Sequence, residues 1–229
     1  MKHEMVLALD VDSVDKAKNF VNLFAGKIKV FKVGLQLFTL AGPGIVDYIR
    51  KKKADVFLDL KLHDIPNTVA HAVRQAARLK VKMLTLHIQG GEEMLRAAVL
   101  ARDQESRKLR IKKPLLIGVT VLTSQPASQG QVLLRAKQGL SCGLDGVVCS
   151  AREAAFLRQN INQEFFIVTP GIRSLSLETQ DQKRVTTVRQ AVLAGSNFLV
   201  VGRPILEAGN PLQALKELKS MASEVEPSK

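Results

Sequence analysis

Between Val56 and Thr68 the chain reads Val-Phe-Leu-Asp-Leu-Lys-Leu-His-Asp-Ile-Pro-Asn-Thr. In an extended segment side chains alternate between faces, so Leu58, Leu60 and Leu62 share one side while Phe57, Asp59 and Lys61 share the other. A carboxylate and an ammonium two residues apart, on a strand that is otherwise apolar, are costly to bury unless they are paired. Two environments accommodate such a strand. One is the solvated face of an antiparallel sheet. The other is a water-poor site in which Asp59 and Lys61 do electrostatic or proton-transfer work. His63, Asp64, Asn67 and Thr68 crowd further polar groups at the strand's C-terminal end.

The elements that must position these groups decide between the two. Short β-like runs alternate with longer stretches of helical spacing along the whole chain. The runs are Met5 to Val11, Ile28 to Gly34, Val56 to Leu62, Met83 to Gln89, Pro114 to Leu122, Gly146 to Ser150, Phe165 to Thr169 and Phe198 to Val201. Helical segments follow: Ser13, a good N-cap, to about Ala25; Leu35 to Lys52, interrupted at Gly42-Pro-Gly44; Val69 to Leu79; Glu92 to about Arg107; Ser128 to Ser141; Arg152 to about Gln159; Val185 to Ala194; and Leu212 to Met221. Strands alternating with helices imply a parallel sheet. About eight such units within the 229 residues, with no linker-like break, match a closed α/β architecture, the (β/α)8 TIM barrel, as a single domain over residues 1–229. An open doubly wound sheet is the competing arrangement.

A barrel leaves no strand face for bulk water and collects its chemistry at the C-terminal strand ends. Those ends supply Asp10 and Asp12, Lys32, Asp59 with Lys61 and Asp64, His87 with Gln89, Thr120 to Ser124, Thr169 to Arg173, and Gly202-Arg203. Asp10, Lys32, Asp59 and Lys61 can form an array of alternating charge that keeps each member ionised in a poorly solvated place. A lysine between carboxylates suits proton donation and carbanion stabilisation better than Schiff-base chemistry, which needs a depressed lysine pKa. At the last strand, the amides after Gly202, the short helix expected at Pro204 to Glu207 and the Arg203 guanidinium offer a phosphate cradle. The loop from Gly171 to Lys183, with Pro170 and Gly171 as hinges, is expected to act as a lid.

Composition narrows the field. The net charge is +13, from 34 Lys and Arg against 21 Asp and Glu, which favours anionic partners. With no Trp, one Tyr and no basic run interleaved with aromatics, nucleic acid is not the expected partner. No apolar run approaches the roughly 18 residues of a membrane span, and the N-terminal residues place Asp10 where a signal peptide would be apolar. The expected setting is the cytoplasm, without membrane attachment. Cys142 and Cys149 lack a CxxC spacing and read as buried structural thiols. The four histidines lack ligand spacing, Lys32 and Lys61 would repel a cation, and His87 reads as a hydrogen-bonded core histidine. A strained G-x-S-x-G elbow for a serine hydrolase is absent.

The pattern Asp59-x-Lys61-x-x-Asp64-Ile-Pro-Asn-Thr68 resembles the signature of the orotidine 5′-phosphate decarboxylase family in its bacterial form. Leu9-Asp10, Phe31-Lys-Val-Gly34, Val119 to Ser124, Thr169 to Arg173, Asp181-Gln182 and Val201-Gly-Arg203 extend the likeness in order and spacing over nearly the whole chain. The resemblance implies a (β/α)8 barrel acting as a homodimer with shared sites, needing no cofactor and no metal. The implied activity is conversion of orotidine 5′-monophosphate to uridine 5′-monophosphate in de novo pyrimidine biosynthesis. By the same resemblance, Lys32, Asp59 and Lys61 come from one subunit and Asp64 from its partner. Asp59 would press on the substrate carboxylate, and Lys61 would stabilise and protonate the C6 carbanion. Asp10, Lys32 and the partner's Thr68 would bind the ribose, Ile65 would wall the partner's site, and Thr123 would lie by the pyrimidine. Pro170 would belong to the substrate pocket, and Gln182, Gly202 and Arg203, helped by Arg173, would hold the 5′-phosphate.

One departure is His87-Ile-Gln89-Gly-Gly91, where the family resemblance leads us to expect smaller residues between the histidine and the glycines. The nearest competitor shares the Asp-x-Lys-x-x-Asp signature: magnesium-dependent decarboxylases and aldolases acting on sugar phosphates. There a carboxylate at the second-strand position helps hold the metal, whereas this chain has Lys32. A nucleic-acid-binding module driven by the positive charge is the competitor from another class, and it predicts strongly salt-dependent oligonucleotide binding.

Overall fold

The computed structural model describes residues 3–122, 125–173 and 186–225. Eight parallel strands close into a barrel: β1 (Glu4–Ala8), β2 (Val30–Gly34), β3 (Asp55–Leu62), β4 (Met83–His87), β5 (Leu115–Val119), β6 (Gly146–Val148), β7 (Phe166–Thr169) and β10 (Phe198–Val201), with β10 pairing back onto β1. Two short strands outside the barrel, β8 (Ile172–Arg173) and β9 (Thr186–Thr187), pair in parallel. The open doubly wound sheet is thereby excluded.

Each strand alternates strictly enough to make two cores. Val6, Ala8, Val30, Phe57, Met83, Ile117, Val168, Phe198 and Val200 point into the barrel and pack on one another. Their neighbours in sequence, among them Leu7, Phe31, Val33, Val56, Leu58, Leu84, Leu116 and Leu199, point outward into a larger core beneath the helices. The near-continuous apolar strands follow from this, since both faces are covered. Gly146 permits the closest strand approach, because a Cβ there would lie 2.3 Å from the Phe166 carbonyl oxygen.

Helix starts follow capping chemistry. Ser13 accepts from the Lys16 amide at 3.2 Å and opens α1 (Val14–Phe24). The stretch broken at Gly42-Pro-Gly44 is two helices, α2 (Leu35–Ala41) and α3 (Gly44–Lys51). Helix α4 (Pro66–Arg78) begins three residues earlier than the periodicity indicates, because Pro66 occupies a first-turn position where its missing amide proton costs nothing. Then follow α5 (Gly91–Leu109), α6 (Gln129–Ser141), α7 (Ala151–Asn160), α8 (Val188–Leu193), α9 (Arg203–Leu206) and α10 (Pro211–Ser223). Capping boxes start α6 at Ser128, α7 at Ser150 and α8 at Thr187. The cap at Thr187 is why the helix expected from Val185 starts at Val188, after a short strand. Strands β1, β4, β5 and β6 end earlier than the hydrophobic runs do; after β4 a 3-10 turn at Ile88–Gly90 takes over.

Candidate active site

The inward column of each strand continues upward from the barrel core, two residues at a time, into the site. Ala8 leads to Asp10, Val30 to Lys32, Phe57 to Asp59 and Lys61, Met83 to Thr85 and His87, Val168 to Pro170, and Val200 to Gly202. The alternation that fills the core thus also delivers the charges to one end.

Asp59 is the hub. Lys61 Nζ donates to both of its oxygens at 2.9 Å, and Lys32 Nζ lies 3.6 Å from Oδ2. Lys32 also donates to Asp10 Oδ1 at 2.8 Å. The side chains of Lys32 and Asp59 are 10% and 13% exposed, that of Lys61 32% and that of Asp10 57%, so the array runs from a dry interior pair to a wet outer member. Ions so poorly hydrated persist only when each has a counter-charge, which this chain of contacts provides. The expected array of Asp10, Lys32, Asp59 and Lys61 is therefore present within one chain.

Lys61 carries a further constraint, a left-handed backbone with φ of 49°. Such a conformation in a non-glycine residue costs on the order of 1 kcal/mol and needs local support. Thr85 supplies it. Its hydroxyl accepts from the Lys61 amide at 2.9 Å and donates to Asp59 Oδ1 at 2.9 Å, so one buried oxygen ties the strained backbone to the hub carboxylate. The pairing of β3 with β4 shifts register between Leu58 and Leu62, where this kink sits. Sequence reasoning missed Thr85, since threonine in a strand is ordinary; its inward position two residues above Met83 was the available signal. Gly34 appeared in the sequence only as the end of the Phe31-Lys-Val-Gly34 match, with no role of its own. A Cβ there would sit 3.1 Å from Lys32 Nζ and 3.5 Å from Asp10 Oδ1, so the glycine leaves room for that ion pair.

Above the charges lies a cavity of about 140 Å³ lined by Lys32, Phe57, Asp59 and Lys61 below and by Val119, Val121, Leu122, Val148, Val168, Pro170 and Val200 around. Apolar walls over a charged floor exclude water and strengthen the field acting on whatever occupies the space. Gly202 reaches the same end: a Cβ on it would lie 3.8 Å from Asp10 Oδ2. Arg203, the first residue of α9, is exposed beside it, so the short helix begins one residue earlier than expected.

Other expected site residues are not gathered here. Asp64, Ile65 and Thr68 lie on the exposed turn into α4, with Ile65 66% exposed and the Asp64 carboxylate accepting from the Ile65 amide at 2.7 Å. Thr123 and Gln182 lie outside the described residues, as does most of the stretch expected to act as a lid, and Arg173 is placed by its backbone, paired with Thr187.

His87 differs from its expected role. Its ring is half-buried and tilted at 40° against that of His63, with centroids 5.3 Å apart, rather than sunk in the core. Burial, followed by the nearby His63, Lys61 and Arg135 charges, pushes its pKa down. Cys142 and Cys149 are buried, as expected, and burial raises both thiols. Among the described residues, no helix is long and apolar enough to cross a membrane.

Comparison with known proteins places this arrangement. The family model described as "Orotidine 5'-phosphate decarboxylase / HUMPS family" matches residues 3–218. The orotidine 5′-phosphate decarboxylase of Vibrio cholerae serotype O1 (strain O395) is 43% identical over 228 residues, covering 95% of this chain and 97% of the relative. That of Carboxydothermus hydrogenoformans is also 43% identical, covering 96% and 97% respectively. Among solved structures, the orotidine 5′-phosphate decarboxylase of Lactobacillus acidophilus superposes with a TM-score of 0.84 at 31% identity, over 96% of this chain and 99% of that one. An uncharacterized conserved protein from Geobacillus kaustophilus gives 0.82 at 33% identity, over 95% and 99%. A match that runs from the first barrel strand into the last helix, at this identity, means that the chain belongs to the orotidine 5′-phosphate decarboxylase / HUMPS family.

Proposed function

We propose that this enzyme, a carboxy-lyase, decarboxylates orotidine 5′-monophosphate to uridine 5′-monophosphate without metal or cofactor. The observation that carries this reading is the Asp59 carboxylate held between Lys32 and Lys61 on the floor of an apolar-walled cavity. With the substrate carboxylate set against Asp59, like-charge repulsion disfavours the bound ground state and is relieved as carbon dioxide leaves. The C6–carboxylate bond breaks, its electron pair remains on C6, and the Lys61 ammonium stabilises that charge and then delivers a proton to it. Lys61 is reprotonated from solvent.

In the same reading Asp10 and Lys32 hold the ribose hydroxyls, Thr123 faces the pyrimidine and Pro170 packs beside it. Gln182, Gly202, Arg203 and Arg173 bind the 5′-phosphate, whose binding energy drives desolvation at the distant reacting carbon. The exposure of Asp64, Ile65 and Thr68 supports a homodimer in which each subunit lends them to the other's site, because all three stand in solvent on their own chain. The enzyme would work in the cytoplasm, in de novo pyrimidine biosynthesis.

The magnesium-dependent sugar-phosphate enzymes that share the signature need oxygen ligands where this chain puts Lys32. With two ammonium groups and a hydroxyl already on Asp59, a divalent cation would meet repulsion rather than a ligand cage. The test is turnover of orotidine 5′-monophosphate in EDTA, followed by loss of substrate absorbance. Full activity is expected, and no absorbance change would sink the reading. Mixing inactive Asp64→Asn and Lys61→Ala proteins tests the shared site: hybrids should regain up to about one working site in two. No recovery despite demonstrated subunit exchange would rule it out.

A further inference from the structure

The departure at Ile88-Gln89 has a structural counterpart on α6. Ile88 fills a slot that exists because positions 118 and 139 are glycine. A Cβ on Gly118 of β5 would lie 2.7 Å from Ile88 Cδ1, and one on Gly139 of α6 2.9 Å from it. The knob on the turn after β4 is thus seated between β5 and α6. Gln89, exposed on the rim, sets its side-chain amide against the Arg135 guanidinium; donor chemistry assigns the oxygen rather than the nitrogen to that side, where it accepts from Nη1 at 2.9 Å and Nη2 at 2.7 Å. Arg135, half-buried on α6, also donates from Nη1 to the carbonyl oxygen of Thr120 at 2.8 Å.

Thr120 is buried and is the first residue beyond β5; its own hydroxyl donates to the Val148 carbonyl on β6 at 3.0 Å. The next two residues, Val121 and Leu122, form part of the wall of the cavity above Asp59 and Lys61. One guanidinium therefore joins the turn after β4 to the backbone from which that wall departs. A planar donor fork suits this task, since it fixes both partners in one plane, as a lysine's single ammonium would not.

We propose that Gln89 and Arg135 are positioning residues for the reaction: a clamp that sets the Val121–Leu122 wall against the planar base of the substrate and leaves the distant phosphate contacts untouched. This rests on the functional reading above. Loss of the clamp frees the wall, so the penalty falls on ligands that carry a base and not on those that carry only sugar and phosphate.

The experiment compares Arg135→Met, which keeps the apolar stem without the donors, with Gln89→Ala and Gln89→Glu, which retains an acceptor for the guanidinium. For each, kcat and KM for orotidine 5′-monophosphate are measured, together with inhibition constants for uridine 5′-monophosphate and ribose 5-phosphate. Arg135→Met should lower kcat/KM about tenfold and weaken uridine 5′-monophosphate by a similar factor, the scale of losing a charge-assisted hydrogen bond, with ribose 5-phosphate unchanged. Gln89→Ala should show roughly threefold effects of the same pattern, and Gln89→Glu should restore wild-type values. Because Gln89 is exposed, its variants keep the test alive if Arg135→Met fails to fold. Effects within twofold in all variants, or equal losses for both inhibitors, would overturn the clamp while wild-type turnover leaves the functional reading standing. Absence of wild-type turnover would remove both.

Discussion

The two ends of the barrel use the same residue types to opposite effect. At the N-terminal end the hub is a cation: Lys82 bridges Glu4 at 2.8 Å and Asp55 at 3.1 Å and lies over the Phe198 ring. Arg102 similarly joins Asp103 and Asp145, whose carboxylate also accepts from the Leu116 amide at 2.7 Å. At the C-terminal end the hub is a carboxylate, Asp59, with two lysines upon it. The lower clusters lie at strand starts and join neighbouring strands and helices. The upper one floors an apolar-walled cavity and leans on a strained backbone at Lys61. A charged network by itself therefore marks no site. What separates the two is a small apolar-walled space floored by the upper charges themselves, where the lower clusters border larger hollows, and a left-handed lysine inside the charge array, where the left-handed Lys53 and Lys80 merely follow helix ends.

That contrast can be broken by substitution. Removing the upper ammonium, Lys61→Ala, should cut kcat by about 10³-fold or more while the melting temperature changes little, because Asp59 keeps Lys32 and Thr85. Comparable activity loss from Lys82→Ala at the lower end would erase the distinction. Next in size, Thr85→Val leaves the Lys61 amide and an Asp59 oxygen without their shared partner. It should cost about 1–3 kcal/mol in denaturant unfolding and lower kcat, whereas Thr85→Ser retains both functions. A silent Thr85→Val would show that Lys61 needs no such support.

Lys82→Ala should instead cost about 1 kcal/mol or somewhat more in stability, leaving Glu4 and Asp55 unneutralised, with kcat unchanged. Its pH signature follows from the Lys82 pKa. Burial lowers it, but the bonds and charges of Glu4 and Asp55 outweigh burial and leave it raised above 10.5. The stabilisation is thus fully present below about pH 10.5 and disappears as pH rises through the folded-state value. Lys82→Ala should flatten this alkaline fall in unfolding free energy.

The smallest effect belongs to the upper end, where His87 titrates below 6.5 because burial, then His63, disfavours its charge. Stability should therefore decline as pH falls from 6.5 through the folded value, and His87→Asn should remove that acid-side slope. An unchanged slope would place the acid sensitivity elsewhere.

Much of this molecule was legible before any coordinates. The alternation of strand and helix reads as a barrel because each period leaves its own trace. The face of β3 that carries Asp59 and Lys61 was identifiable from spacing two apart. Boundaries were harder. Val11, Gln89 and Leu122 extend hydrophobic runs past the points where strand pairing stops, and apolarity alone cannot mark the last ladder hydrogen bond. Thr85, Gly34 and Arg135 were given no role because each is unremarkable locally: a strand threonine, a helix-start glycine and a helix arginine. Their roles come from partners 24, 24 and 15 positions distant in some of their contacts, visible only after the strands close. The gathering of Asp64, Ile65 and Thr68 into a site was an expectation from resemblance, and within a single chain they face outward.

The eight-unit alternation of strand and helix and the inventory of charges could be read along the chain, because hydrophobic period and residue type are local properties; closure of the sheet, against an open doubly wound order, came from strand pairing. The sharing of Asp59 by Lys32 and Lys61, the bracing of a left-handed Lys61 by Thr85 and the reach of Arg135 to the backbone of Thr120 emerge with the folded barrel alone. Those are relations between strands brought side by side by closure of the barrel, and Coulomb and hydrogen-bond energies depend on distances of a few ångströms that no spacing along the chain encodes.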